Sequence, residues 1–172
     1  SFRKDKRIIL LLFLAITTFF VLQLAAPFFL PQGNVIDLSG QVGVVDNEQQ
    51  IKHMTSPWNI IYEIGDLMCH QKSERSFFIN GNQMPFCSRC TAIWLGLATG
   101  LGIIVFVRIR LDGKFIVCLL LGLVPIGIDG IGQLLGFWES INTVRFISGL
   151  LAGFVCGIAT GVIVQESCAI KK

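Results

Sequence analysis

Cys69-His70 and, after sixteen intervening residues, Cys87-Ser88-Arg89-Cys90 are the residues whose types and spacing best suit chemistry. Two thiolates separated by two residues meet at one point when a tight turn joins them, so a CxxC motif can clasp a metal ion. Cys69 adds a third sulfur. His70 would be the fourth ligand or, left off the metal, a proton carrier beside an open position. The set suits zinc, which takes about four tetrahedral N and S donors. The same spacing supports a different chemistry, thiol-disulfide exchange at Cys87 and Cys90 with Cys69, with a quinone as electron acceptor and Arg89 lowering a neighbouring thiol pKa. Against a disulfide relay, which needs two pairs, only these three cysteines share one segment. A third alternative is non-enzymatic, a metal-stapled membrane module or a structural disulfide with one thiol left over. These residue types do not by themselves make the chain an enzyme.

Ionisable residues in apolar surroundings add to the candidate site. Asp129 interrupts an otherwise apolar run, where a charge costs several kcal/mol unless it is paired or lines a cavity. Gln133 follows one helical turn later on the same face. Asn142 and Arg145 open the next apolar run, and Arg89 and Thr91 open an earlier one. With outward-facing ends, these residues and the Cys/His group are expected to converge on one zone, with Asp129, Arg75, Arg89, Arg145 and His70 as candidate catalytic groups. Gln71, Gln83, Gln133 and Asn142 are candidate supporting polar residues. Three arginines suit an anionic or lipid-borne small molecule, since guanidinium forks match phosphate oxygens. Asp129 could equally pair with Arg145 or Arg89, and Gln133 and Asn142 could be interhelical hydrogen-bond glue. His53 has no such neighbours and reads as exposed.

These residues must be positioned by membrane helices. Of 172 residues 53% are apolar and only 15% are charged, against roughly 25% charged in a soluble globule. Runs at 8–30, 91–107, 115–138 and 144–165 each approach or exceed the ~20 residues that cross the hydrocarbon. The first exceeds the ~7–15 apolar residues of a signal peptide and reads as an anchor. Arg3, Lys4, Lys6 and Arg7, then Arg108, Arg110 and Lys114, then Lys171 and Lys172 all fall on one side of a four-span topology. By the positive-inside rule that side is cytoplasmic, with both termini, and residues 31–90 form an extracytoplasmic segment. The expectation is an all-α integral protein of the cell membrane, a multi-pass four-helix bundle forming a single domain over 1–172. Basic tails without aromatic interleaving argue against nucleic acid as a partner.

Gly149, Gly153, Gly157 and Gly161 recur every four residues, and Gly96 with Gly100 and Gly132 with Gly136 repeat the device. Such stripes let backbones approach closely, within one chain or across a homodimer. Residues 31–55 read as loop with a short strand pair around Val42–Val45. Ser56-Pro57 reads as a helix start, with serine as cap. Trp58, Ile61, Tyr62, Gly65 and Met68 then share one side, as in an amphipathic helix on the membrane surface.

Cys69-His70-Gln71, Glu74-Arg75-Ser76-Phe77, Gly81, Gln83-Met84-Pro85, Cys87-Ser88-Arg89-Cys90-Thr91, Gly96, Asp129-Gly130 with Gln133, and Ser140 with Asn142, Arg145 and Gly149 resemble an uncharacterised prokaryotic membrane-protein family, the domain of unknown function numbered two-thousand-and-eighty-five. The resemblance runs over about residues 69–153. It implies a small multi-span membrane protein whose motif residues gather into one site, and it brings no activity, substrate or cofactor.

Overall fold

Long apolar runs form helices in this chain because a backbone in hydrocarbon must satisfy its own hydrogen bonds. The computed structural model describes residues 4–170; of the basic residues that set the expected orientation, Arg3, Lys171 and Lys172 lie outside them. Four helices are long and apolar enough to cross a membrane: α1 (Lys4–Phe29), α4 (Ser88–Phe106), α5 (Gly113–Leu134) and α6 (Asn142–Ile170). Between α1 and α4 lie α2 (Glu48–Lys52), α3 (Trp58–Met68), a single 3-10 turn (Ser73–Arg75) and an antiparallel hairpin of β1 (Ser76–Ile79) and β2 (Asn82–Cys87). The described residues divide into two compact units, 4–18 with 92–170, and 19–91.

The first unit is a helix bundle. Glycines set its closest contact, because a Cβ at Gly96 or Gly100 of α4 would collide with the backbone of Leu150 or Phe154. Reciprocally, a Cβ at Gly153 or Gly157 of α6 would meet the Ile93 or Leu97 carbonyl. The stripe that sequence left open between an intrachain and an interchain role therefore joins α4 to α6 of the same chain. Ile9, Leu101, Ile104, Val105 and Val162 form the core of this unit, with Phe13 and Ile16 of α1 against it. Gln165 donates to the carbonyls of Ile104 and Val107, both at 3.2 Å, and so satisfies two acceptors at the end of α4. The third span is shorter than expected. Gly136 adopts φ 74°, Phe137 N–H donates to Gly132 O and Gly136 N–H to Gln133 O, which is a Schellman stop. Gly136 thus terminates α5 instead of packing helices, while Gly132 leaves room for the indole of Trp138.

The second unit corrects the all-helical expectation. No strand forms at Val42–Val45; the hairpin lies at β1 and β2 instead. Asn80 and Gly81 join the strands with φ of 53° and 72°, the signature of a two-residue type I′ turn. Ser56 does not cap α3: Pro57 holds the N-cap place and no side chain caps the helix. Ile61, Tyr62, Gly65 and Asp66 are the buried residues of α3, whereas Met68 is about half exposed. The core is Ala26, Leu30, Val35, Leu38, Ile51, Met54, Ile61 and Tyr62, with Trp58 packed against it.

Candidate metal centre

Cys69 and Cys87 are brought together by the way α3 lies on β2. Gly65, one turn before Cys69, faces Pro85, two residues before Cys87, so closely that a Cβ would collide with the Pro85 carbonyl. Only glycine lets the end of α3 reach the strand. The chain leaves α3 at Cys69 in extended conformation and turns at Gln71, whose φ is 45°, a left-handed conformation uncommon for a non-glycine residue. That turn carries the Gln71 amide back to the strand, where Nε2 donates to Pro85 O at 2.8 Å.

Gln83 completes the clamp. Its Nε2 donates to the carbonyls of Gln71 and Leu38 and to Ser76 Oγ, its Oε1 accepts from Leu38 N–H, and its backbone carbonyl accepts from Tyr62 OH at 2.6 Å. Burial pushes the Tyr62 phenol above its ordinary range, so it remains a donor. Asn82 anchors the other end of β2. Its Oδ1 accepts from Val35 N–H at 2.9 Å, and its Nδ2 donates to Pro27 O at 2.9 Å and Pro31 O at 3.0 Å. At the far end Phe86 meets Phe19 edge to face, at 5.9 Å between ring centres. β2 therefore runs along the last turns of α1 and is fixed at both ends, which fixes Cys87.

The Sγ atoms of Cys69, Cys87 and Cys90 lie within 4.8 Å of one another. Zinc–sulfur bonds of ~2.3 Å in a tetrahedron place sulfurs ~3.8 Å apart, so a small contraction would let one ion meet all three. All three thiols are free, Cys69 is buried and the other two are half-buried. Cys87 N–H donates to Cys69 Sγ at 3.4 Å. The Cys87 thiol is pulled well below the ordinary thiol range, first by hydrogen bonds from the Cys69 and Cys90 thiols, then by the N–H groups of Cys90 and Arg89. Cys69 is pushed upward, chiefly because its proton is held in the bond to Cys87, with burial and the Cys87 charge acting the same way. One thiolate stabilised by N–H donors at the start of α4, beside two further sulfurs, is a donor set suited to a soft or borderline metal.

The other predicted residues fall into two groups. His70 is exposed, and its ring nitrogens stand outside the sulfur cluster; its carbonyl accepts from Gly40 N–H. Arg75 and Arg89 are half-buried and belong to the same unit as the cysteines. Asp129, Gln133, Asn142 and Arg145 gather in the helix-bundle unit. Gln133 Nε2 donates to Asp129 Oδ2 at 3.0 Å, Arg145 Nη2 donates to Gln133 Oε1 at 3.1 Å, and Arg145 Nη1 donates to Asn142 Oδ1 at 3.2 Å. Asp129 and Arg145 are only 4% and 6% exposed, so Gln133 links two buried charged residues. His53 is exposed. Sequence reasoning missed Asn82 and the structural weight of Gly65. The Asn80-Gly81 turn would have signalled the hairpin that carries Asn82, whereas nothing local marks Gly65.

Four apolar helices and a three-cysteine cluster compatible with metal binding define the class, a multi-pass membrane protein. The chain belongs to the family described as Predicted membrane protein (DUF2085), whose sequence profile matches residues 69–159. That stretch begins at Cys69 and contains both the sulfur cluster and the Asp129–Arg145 set. Among its relatives, an uncharacterised protein of Methanocaldococcus jannaschii is 40% identical over 98 residues, which are 55% of this chain and 62% of that protein. An uncharacterised protein of Methanothermobacter thermautotrophicus is 38% identical over 96 residues, 56% of this chain and 86% of that protein. The chain thus spans less than two thirds of the first relative's length. No solved structure matches it.

Proposed function

We propose that Cys69, Cys87 and Cys90 bind one zinc ion at the extracytoplasmic surface of a four-span membrane protein, with one coordination position left to a small molecule. The observation that carries this reading is three sulfurs within 4.8 Å, two of them half-exposed. The outward orientation rests on the basic residues at the start of α1 and around the connection from α4 to α5, which the positive-inside rule assigns to the cytoplasm. Asp129, Gln133, Asn142 and Arg145 are read as the polar set that holds α5 against α6. Elemental analysis of protein purified without chelators tests the metal. About one zinc per chain is expected, lost in Cys87→Ser and Cys90→Ser; a metal-free wild type defeats the reading.

One observation favours a second reading. A thiol well below its ordinary pKa in a CxxC at a helix start is also the arrangement of a reactive redox cysteine. In that case Cys87 and Cys90 form a disulfide and pass two electrons and two protons to a quinone, giving the quinol. Thiol titration before and after addition of a quinone decides it, since a metal-holding pair stays reduced.

A further inference from the structure

Three thiolates leave a tetrahedral ion one donor short, and charge narrows what fits there. A divalent ion with three thiolates carries a net charge of −1, which repels a further anion unless cations stand close by. The chain supplies two arginines. Arg89 lies inside the Cys87–Cys90 loop. Arg75 ends the 3-10 turn immediately before Ser76, whose Cα pairs with that of Cys87 across the hairpin. Antiparallel partners are only ~4.5–5.5 Å apart, so Arg75 starts beside the sulfur cluster. Its Nε is shielded from solvent without a hydrogen bond and forms an ion pair with Glu74 Oε1 at 3.6 Å, which the 64% exposure of the Glu74 side chain leaves screened by water and exchangeable for an anion. Cys69 is 2% exposed while Cys87 and Cys90 are half-buried, so the cluster opens on the side of the CxxC loop that carries Arg89.

We propose that the fourth position takes an oxygen of a phosphate group whose remaining oxygens are held by Arg75 and Arg89. This rests on the metal reading above. A tetrahedral phosphate can give one oxygen to the ion and others to two guanidinium groups, and guanidinium forks match that geometry. A carboxylate has only two oxygens for three partners. The phosphate comes either from solution or from a phospholipid headgroup at the membrane surface.

Cobalt substitution tests this without assuming an activity. Protein in a phosphorus-free maltoside detergent is loaded with Co(II), and the thiolate charge-transfer band reports metal binding in wild type, Arg75→Gln and Arg89→Gln alike. Inorganic phosphate is then titrated while the cobalt d–d bands are followed; in parallel the protein is moved into phosphatidylglycerol vesicles or into vesicles of a neutral, phosphorus-free glycolipid. The expected result is a d–d shift in wild type with a roughly tenfold or greater loss of phosphate affinity in each glutamine variant, partly restored by Arg75→Lys and Arg89→Lys. A shift with inorganic phosphate identifies a free phosphate ligand, and one confined to phosphatidylglycerol identifies the headgroup. Absence of the charge-transfer band overturns the metal reading itself. A normal charge-transfer band with no shift from either phosphate source, or a shift that both glutamine variants retain in full, overturns the phosphate proposal alone.

Discussion

The sulfur cluster and the Asp129–Arg145 set are both convergent groups of chemically capable residues, yet they are built in opposite ways. In the bundle, each polar side chain reaches another on a neighbouring turn or helix: Gln133 gives its amide to Asp129 and its carbonyl to Arg145, which also reaches Asn142. Such a chain directs the hydrogen bonds of its members at one another, as groups kept in hydrocarbon tend to. Around the cysteines the amide side chains bond to the surroundings instead. Gln71, Gln83 and Asn82 bond to backbone and fix where β2 lies, while three sulfurs are left pointing at one another. One set is joined chiefly member to member, while Gln71, Gln83 and Asn82 leave the sulfurs to one another. Convergence alone does not separate glue from site; where the hydrogen bonds go does.

On the proposal that the cluster holds zinc, the largest effect that would break this contrast is failure to bind that metal. Cys69→Ser, Cys87→Ser and Cys90→Ser should each reduce zinc from about one per chain to a small fraction, because structural zinc sites contribute on the order of 10 kcal/mol and the replacement hydroxyl is a poor donor. Next comes Gly65→Ala. Its Cβ would collide with Pro85 O, and forcing such an overpacked contact costs about 1–3 kcal/mol. The expected outcome is a lower melting temperature together with weakened metal affinity, since the shift separates Cys69 from Cys87. Retention of wild-type affinity would mean that the α3–β2 contact does not set the sulfur spacing.

The pH response comes third. In metal-free protein the hydrogen bonds from the Cys69 and Cys90 thiols and from nearby N–H groups favour the Cys87 thiolate, whereas the bond to Cys87 and burial hold the Cys69 proton above the usual thiol range. Metal must displace the Cys69 proton, so affinity rises with pH and falls as the medium is acidified, the sign expected whenever proton and metal compete for one atom. Alkylation of the metal-free protein near neutral pH should modify Cys87 before Cys69. Peptide mass mapping reads the order directly, and bound zinc should protect both.

The membrane helices were legible because a run of apolar residues long enough to cross hydrocarbon has few other fates. Their ends were less so: the stop at Gly136 depends on φ 74°, which glycine allows and does not require. Grouping Cys69 with Cys87 and Cys90 was legible from residue type and spacing. Grouping Asp129 with Gln133 followed from helical period, and their link to Arg145 appears only once α5 and α6 pack. The hairpin was missed although Asn80-Gly81 announces it, because β2 reads Asn-Gln-Met-Pro-Phe-Cys, with no alternation of polar and apolar residues. That strand is buried from Asn82 to Phe86, and a strand buried on both faces loses the period-two signal. The strand pair expected at Val42–Val45 failed for the converse reason. Those valines are exposed, and the segment is tied instead by Gly43 N–H to Leu67 O and by Asp46 to Gln41 N–H.

In the bundle, Gln133→Leu sharpens the comparison with a smaller effect. It removes the three bonds that the Gln133 side chain makes to Asp129 and Arg145, of which the one to Arg145 joins α5 to α6, and interhelical hydrogen bonds in membranes are worth about 0.6–2 kcal/mol. A modest fall in melting temperature with unchanged zinc content is the expected outcome. A loss of zinc in this variant would mean that the polar set is needed to hold the metal.

The smallest expected effect belongs to His70→Ala. By residue type His70 is the natural fourth ligand, directly beside Cys69, but the extended backbone at Cys69 turns consecutive side chains to opposite sides. Cys69 goes into the core and His70 outward. The interaction His70 does make in the fold is through its carbonyl, to Gly40 N–H, and alanine keeps that bond. Zinc content should therefore stay near one per chain, and the affinity measured against a competing chelator should change by less than about tenfold, or ~1.4 kcal/mol. A loss comparable to that of Cys87→Ser would instead require the loop after Cys69 to rotate on metal binding and bring the imidazole to the ion. That outcome would fill the position the phosphate proposal assigns to a phosphate oxygen, so this mildest substitution also tests whether the centre is closed or available.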